Sequence, residues 1–132
     1  MKHSAEKMDE IGKFSFLMHP FHSGVITSIQ TCLKRQIFVT SSQDKSIRVW
    51  SYNASSNTNF VKLDIFESTF DEVLCLALHA SGNYLVASFN AFLRFYNIFG
   101  KAIKHYLELP IKTCKEMKFS QFGSLIACQH LN

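Results

Sequence analysis

Thr40-Ser41-Ser42-Gln43-Asp44-Lys45-Ser46-Ile47-Arg48-Val49-Trp50 places alternating side chains on either side of the polar turn Gln43-Asp44-Lys45. Alternation of period two, broken by a turn-forming cluster, is the pattern of a β-hairpin. The stretch recurs 46 residues later as Ser88-Phe89-Asn90-Ala91-Phe92-Leu93-Arg94-Phe95-Tyr96. Ser42/Ser88, Asp44/Asn90, Ile47/Leu93, Arg48/Arg94 and Trp50/Tyr96 align. Upstream, Ile26 and Ile29 map to Val73 and Leu76 at a spacing of 47. A third copy lies 41 residues after the second, where Leu76, Leu78, Gly82, Tyr84 and Val86 become Met117, Phe119, Gly123, Leu125 and Ala127.

The alternation predicts strands near 25–31, 36–41, 46–50 and 61–66 in the first unit, and near 73–79, 84–88, 92–97 and 103–108 in the second. The third unit offers 114–119 and 125–129, and Phe14–Met18 reads as one strand before the first repeat. Turns fall at Gln43-Asp44-Lys45, Ala80–Asn83, Phe99-Gly100 and Phe122-Gly123, and Ser51–Asn59 reads as a polar loop. Four short strands in roughly 45 residues is the spacing of a β-propeller blade. The expected fold is all-β: antiparallel four-stranded blades of an incomplete propeller, about two and a half in number, with no helix longer than about two turns in residues 20–129. Residues 1–13 form an N-terminal segment that lacks alternation and is expected to be poorly ordered. Residues 14–129 form the partial propeller, with blade one at about 22–66, blade two at about 70–109 and a half blade at about 112–129. Such an arc cannot close. It is either a fragment of a longer protein, which its abrupt end favours, or it completes a ring by oligomerisation.

The chain has 132 residues, 47% of them hydrophobic, so it has apolar surface enough for one folded domain and is not a disordered tail. No apolar run reaches membrane-span length, and no apolar core follows the polar start Met1–Lys7, so neither insertion nor secretion is expected. The Asn53-Ala54-Ser55 sequon is then idle. The net charge of +4 comes from scattered basic residues; a nucleic-acid footprint would need them gathered on one face. Cys32, Cys75, Cys114 and Cys128 form no Cys-x-x-Cys pair, and three of them lie in or beside apolar alternation, where cysteine acts as a small hydrophobe. His19 and His22 form a His-x-x-His without a third ligand nearby. No phosphate loop, His-Glu-x-x-His or catalytic carboxylate pair is present. No catalytic residue, metal ligand or cofactor-binding residue is therefore assigned.

Phe21-His22-Ser23-Gly24, Ile26, Ile29 and the Thr40–Trp50 stretch together resemble a WD repeat, with Ser51 where that signature has Asp. The resemblance covers nearly all of residues 14–129. A narrower one rests on Val73–Tyr84, Leu93–Ile98 and Cys114–Ser120, which are similar to the cilia- and flagella-associated WD-repeat proteins of the axoneme. Ala80 replaces the usual Pro there, and Ser88-Phe89-Asn90 a Gly-Phe-Ser type turn. The resemblance implies a non-catalytic scaffold that binds other proteins, axonemal components among them. It implies no small-molecule substrate, cofactor or membrane, and a place in the cytoplasm or cytoskeleton, at the ciliary axoneme. The alternative is an RNA- or chromatin-associated WD-repeat adaptor, for which the positive charge would matter.

The same resemblance implies a structural tetrad in blade one: Asp44 accepts from His22, His22 reaches Thr40, and Thr40 reaches the Trp50 indole. A triad reading of Asp44, His22 and Thr40 fails on its nucleophile, a threonine facing an indole inside a blade. The matching positions in blade two are read as Thr69, Val86, Asn90 and Tyr96, so the whole network is replaced and no lone buried polar group should remain. That blade is expected to be held by apolar packing of Leu76, Leu78, Leu85, Ala87, Leu93 and Phe95. Which members of each alternating set face the next blade stays open. Arg48 and Arg94 are expected in packing or a salt link, His79 in a turn contact, and Glu67, Asp71 and Glu72 in a solvated loop.

Overall fold

A computed structural model describes residues 22–52 and 61–130; the expected strand at Phe14–Met18, the N-terminal segment, His19 and Asn53 lie outside the described residues. Among the described residues ten strands follow one another: β1 (Ile26–Cys32), β2 (Ile37–Ser42), β3 (Ser46–Tyr52), β4 (Val61–Ser68), β5 (Cys75–Leu78), β6 (Tyr84–Ser88), β7 (Leu93–Phe99), β8 (Ala102–Leu109), β9 (Cys114–Phe119) and β10 (Ile126–His130). They form two four-stranded meanders, β1-β2-β3-β4 and β5-β6-β7-β8, and the hairpin β9-β10. Every pairing is antiparallel. No helix occurs among the described residues. The architecture is that of two propeller blades and the inner hairpin of a third, with the ring unclosed.

Alternation decides which side chain meets which blade. Ile37, Val39, Ile47, Val49 and Ile65 of the first sheet pack against Leu76, Leu78, Leu85, Ala87, Tyr96 and Ile98 of the second. The intervening residues of the second sheet, Cys75, Ala77, Val86 and Leu93, face the hairpin and pack on Cys114 and Met117. On the far side of the first sheet Ile26 and Ile29 remain more than half exposed. Val39 opposes Val49 and Val86 opposes Phe95, while Thr40 opposes Arg48 and Ala87 opposes Arg94. The structural counterpart of Thr40 is therefore Ala87, not Val86. Six residues lie between the paired Ala87 and Arg94 against seven between the paired Thr40 and Arg48, and a one-residue slip moves a side chain to the opposite face. The expected loop from Ser51 also begins later, because Ser51 and Tyr52 still pair with Lys62 and Val61.

The blade junctions repeat at both ends. Ser41 Oγ lies 2.9 Å from Thr27 Oγ1, which donates to the Val73 carbonyl, and Ser88 Oγ donates to the Cys114 carbonyl at 2.6 Å. Val73 and Cys114 hold the same place in successive repeats. At the other end the β1–β2 turn leans on the β5–β6 turn: Arg35 Nη1 donates to the Gly82 carbonyl at 2.7 Å, and Cys32 Sγ to that of Ala80 at 3.3 Å. Next along the arc, His79 lies edge-on to Tyr84 and Phe119 and fills the space beside Gly123. A Cβ on Gly123 would stand 1.7 Å from His79 Nε2, and Gly123 has φ +74°. Only glycine fits both constraints.

Candidate functional site

The hairpin β2–β3 and the segment leading into β1 bring His22, Thr40, Asp44 and Trp50 together. His22 Nδ1 lies 3.0 Å from Asp44 Oδ2, His22 Nε2 lies 2.7 Å from Thr40 Oγ1, and the Trp50 indole N–H donates to Thr40 Oγ1 at 2.9 Å. Valence fixes the direction of the relay. An indole can only donate and a carboxylate can only accept. Thr40 Oγ1 therefore accepts from Trp50, and the His22 Nδ1–H donates to Asp44 Oδ2. The His22 and Asp44 side chains are 4% and 7% exposed. In so dry a place each unpartnered group would destabilise the fold by a kilocalorie or more.

Asp44 has more partners than the repeat pattern announces. Ser46 donates to Oδ1 through its hydroxyl at 2.6 Å and its backbone N–H at 3.0 Å, and the Ser23 N–H donates to Oδ2 at 2.9 Å. Burial pushes the Asp44 carboxyl up, but Ser46, Ser23 and His22 outweigh it and hold the group at about 2. The Asp44-Lys45-Ser46 spacing, an aspartate bonded to the N–H two residues on, was the available signal for Ser46. Arg48 also joins the cluster. Its Nη2 lies 3.8 Å from Asp44 Oδ2 and its guanidinium 5.2 Å from the centre of the Phe66 ring, while Nη1 is buried with no partner among the described residues.

The second sheet answers the same position differently. Arg94 donates from Nε and Nη2 to Glu108 at 3.1 and 2.9 Å and stacks over Phe89 and Phe92. Glu108 opposes Arg94 where Phe66 opposes Arg48. Thr69 donates to the Asp71 carbonyl within its own loop. Tyr96 is 1% exposed and its hydroxyl has no partner among the described residues. This corrects the expectation that replacing the network leaves no orphan. A phenol keeps the ring volume of the signature position but carries an oxygen that Ala87 cannot bond. Burial pushes the Tyr96 phenol up, and the positive charge of nearby Arg94, which is not in hydrogen-bonding geometry with the hydroxyl, offsets this only in part.

Cys75, Cys114 and Cys128, distant in sequence, converge between the second sheet and the hairpin. Burial pushes Cys75 up to about 12 and Cys114 up to about 11, so both are neutral thiols at physiological pH. Thiols in that state are poor nucleophiles and poor metal ligands. Among the described residues no group of three or more His, Cys, Asp or Glu side chains could hold a metal ion. The chemistry of the described cluster in blade one is therefore a closed chain of donors and acceptors, each end committed to a neighbour.

Residues 14–51 match the family described as WD domain, G-beta repeat. Cilia- and flagella-associated protein 57 of Mus musculus is 35% identical over 123 residues, 93% of this chain and 9% of the relative. Cilia- and flagella-associated protein 57 A of Tetrahymena thermophila is 30% identical over 129 residues, 98% of this chain and 10% of the relative. The chain thus spans about a tenth of the length of the curated relatives it matches. Among solved structures, the β-propeller domain of Myceliophteria thermophila Cps50 (Swd1) superposes with a TM-score of 0.71 at 20% identity, over 84% of this chain and 38% of that one. A chain of the mitotic checkpoint complex superposes at 0.67 with 13% identity, over 83% and 34%. The sheets, the repeat and these relatives converge: the chain belongs to the WD-repeat β-propeller family.

Proposed function

We propose that this chain is part of a non-catalytic scaffold of the ciliary or flagellar axoneme, which holds other proteins together during ciliary assembly or beating. The observation that carries the reading is the likeness to cilia- and flagella-associated protein 57, spread over 93–98% of the chain rather than confined to the generic repeat signature. The geometry supports the non-catalytic half. His22, Thr40, Asp44 and Trp50 act as a structural tetrad: His22 and Asp44 are too enclosed to meet a substrate, and each has its hydrogen-bonding capacity taken up within the blade. Its axonemal partners are proteins, and its place is the cytoskeleton of the cilium. The test is to tag the natural full-length protein in ciliated cells and fractionate isolated cilia. Retention in the detergent-insoluble axoneme is expected. Recovery only in the nucleus, bound to RNA in a salt-sensitive way, would replace this reading with the RNA- or chromatin-associated adaptor.

A further inference from the structure

The meander topology gathers the β1–β2, β5–β6, β7–β8 and β9–β10 turns at one end of the arc, opposite the end that holds Asp44. Contacts make this end continuous. Arg35 bonds the Gly82 carbonyl, the Asn83 side chain and the Ile98 carbonyl, and His79 fits against Gly123. The tips are apolar and open: Leu33 is 82% exposed, Phe99 62%, Phe122 86% and Leu125 72%. The turns Leu33–Gln36, His79–Asn83, Phe99–Lys101 and Ser120–Leu125 contain Lys34, Arg35 and Lys101 and no Asp or Glu. Exposed Lys104 and Lys118 lie on the strands that reach this end. Among the described residues none of these lysines forms an ion pair, and Arg35 meets only neutral acceptors. Of the described acidic residues, Asp44, Glu67, Asp71, Glu72 and Glu108 lie toward the opposite end, Glu116 lies mid-strand on β9, and Asp64, nearer this end on β4, pairs with Lys62.

We propose that this turn end is a docking surface for a protein segment rich in acidic residues and studded with large apolar ones. Apolar tips set in positive charge that no carboxylate among the described residues pairs with are satisfied by glutamate or aspartate alternating with leucine or phenylalanine. Neutral groups between the tips, Gln36, Asn83, Gln121 and Ser124, can bond a peptide backbone, which a lipid surface lacks. The proposal deepens the scaffold reading and rests on it, but it does not depend on the axonemal location, so failure in cilia and failure here are separate results.

The probe is a fluorescent synthetic peptide of repeated Glu-Glu-Phe, titrated with the full chain at moderate salt and followed by anisotropy. Saturable binding is expected, lost when Gln replaces Glu in the peptide. The pairs Phe99→Ser with Phe122→Ser, and Lys34→Glu with Lys101→Glu, should each weaken it about tenfold or more. Lys45→Glu with Lys112→Glu, at the opposite end, should leave it unchanged. All six positions are exposed, so unchanged circular dichroism is expected and separates binding from folding. No saturable binding, equal loss from the control pair, or binding to phosphatidylserine vesicles without binding to the peptide would each overturn the proposal.

Discussion

Where blade one sets Thr40 beside Arg48 and the Trp50 indole, blade two sets Ala87 beside Arg94 and the Tyr96 phenol. The strand frame around the two places is the same, and Thr40, Trp50, Ala87 and Tyr96 are all buried, but Arg48 is buried where Arg94 is half-buried. In the first, the side chains of His22, Thr40, Asp44, Ser46 and Trp50 and the backbone N–H groups of Ser23 and Ser46 satisfy one another in one network. In the second, the place is filled by carbon, and arginine turns outward to Glu108 on the last strand. A buried position of this kind can be held by a complete polar network or by none. Blade one departs from that rule at Arg48 Nη1, and blade two at the Tyr96 hydroxyl and Asn97 Oδ1, each without a partner among the described residues.

The sharpest way to break the comparison is Asp44→Ala. It leaves Arg48 without its only carboxylate among the described residues and strands the donors of His22, Ser23 and Ser46. Removing one partner from such a buried cluster should destabilise by about 3–5 kcal/mol, read as a lower urea midpoint. Trp50→Phe removes only the indole donor and should cost about 1–3 kcal/mol. The same denaturation curves decide it. A cost near zero would mean that the relay contributes nothing to blade one.

Acid should separate the blades as well. Asp44 sits at about 2, below its ordinary 3.8. Its ionised form therefore stabilises the fold fully above the ordinary value, and that contribution fades as the pH falls from there through about 2. Asp44→Asn should flatten this part of the stability–pH curve, while Tyr96→Phe should leave its shape intact. The smallest effect is expected from Tyr96→Phe itself. It removes an unpartnered buried oxygen and should be neutral or stabilise by up to about 1 kcal/mol. A loss equal to that of Trp50→Phe would show that the phenol has a partner after all.

Much of this was legible in the chain. The alternation at Tyr84–Ser88 and Cys114–Phe119 fixed those strands to the residue, since strong turn signals bound them: Gly82-Asn83 before the first and Phe122-Gly123 after the second. The four residues of the relay were legible only through the resemblance to a WD repeat, since the second copy lacks them. What stayed hidden depends on register and on contacts between distant segments. The connection between the paired Ala87 and Arg94, one residue shorter than that between Thr40 and Arg48, shifts Val86 to the hairpin face, and a repeat aligned at one spacing cannot show that. The meeting of Cys75 with Cys114 across two sheets leaves no local pattern. Nor does the stacking of Arg48 on Phe66, because strand pairing, not spacing, decides what lies opposite an arginine.

The central claim is that the polar relay, anchored by ionised Asp44, holds blade one and is absent from blade two. Hydrogen exchange by NMR tests it most directly, with protection corrected for intrinsic rates and followed from neutral pH down to about 2. The Trp50 indole proton and the β2–β3 amides should lose protection as Asp44 protonates, ahead of the β6–β7 amides, and Asp44→Asn should remove this difference in pH response. Simultaneous loss in both blades, or an indole proton that exchanges freely at neutral pH, would contradict the account.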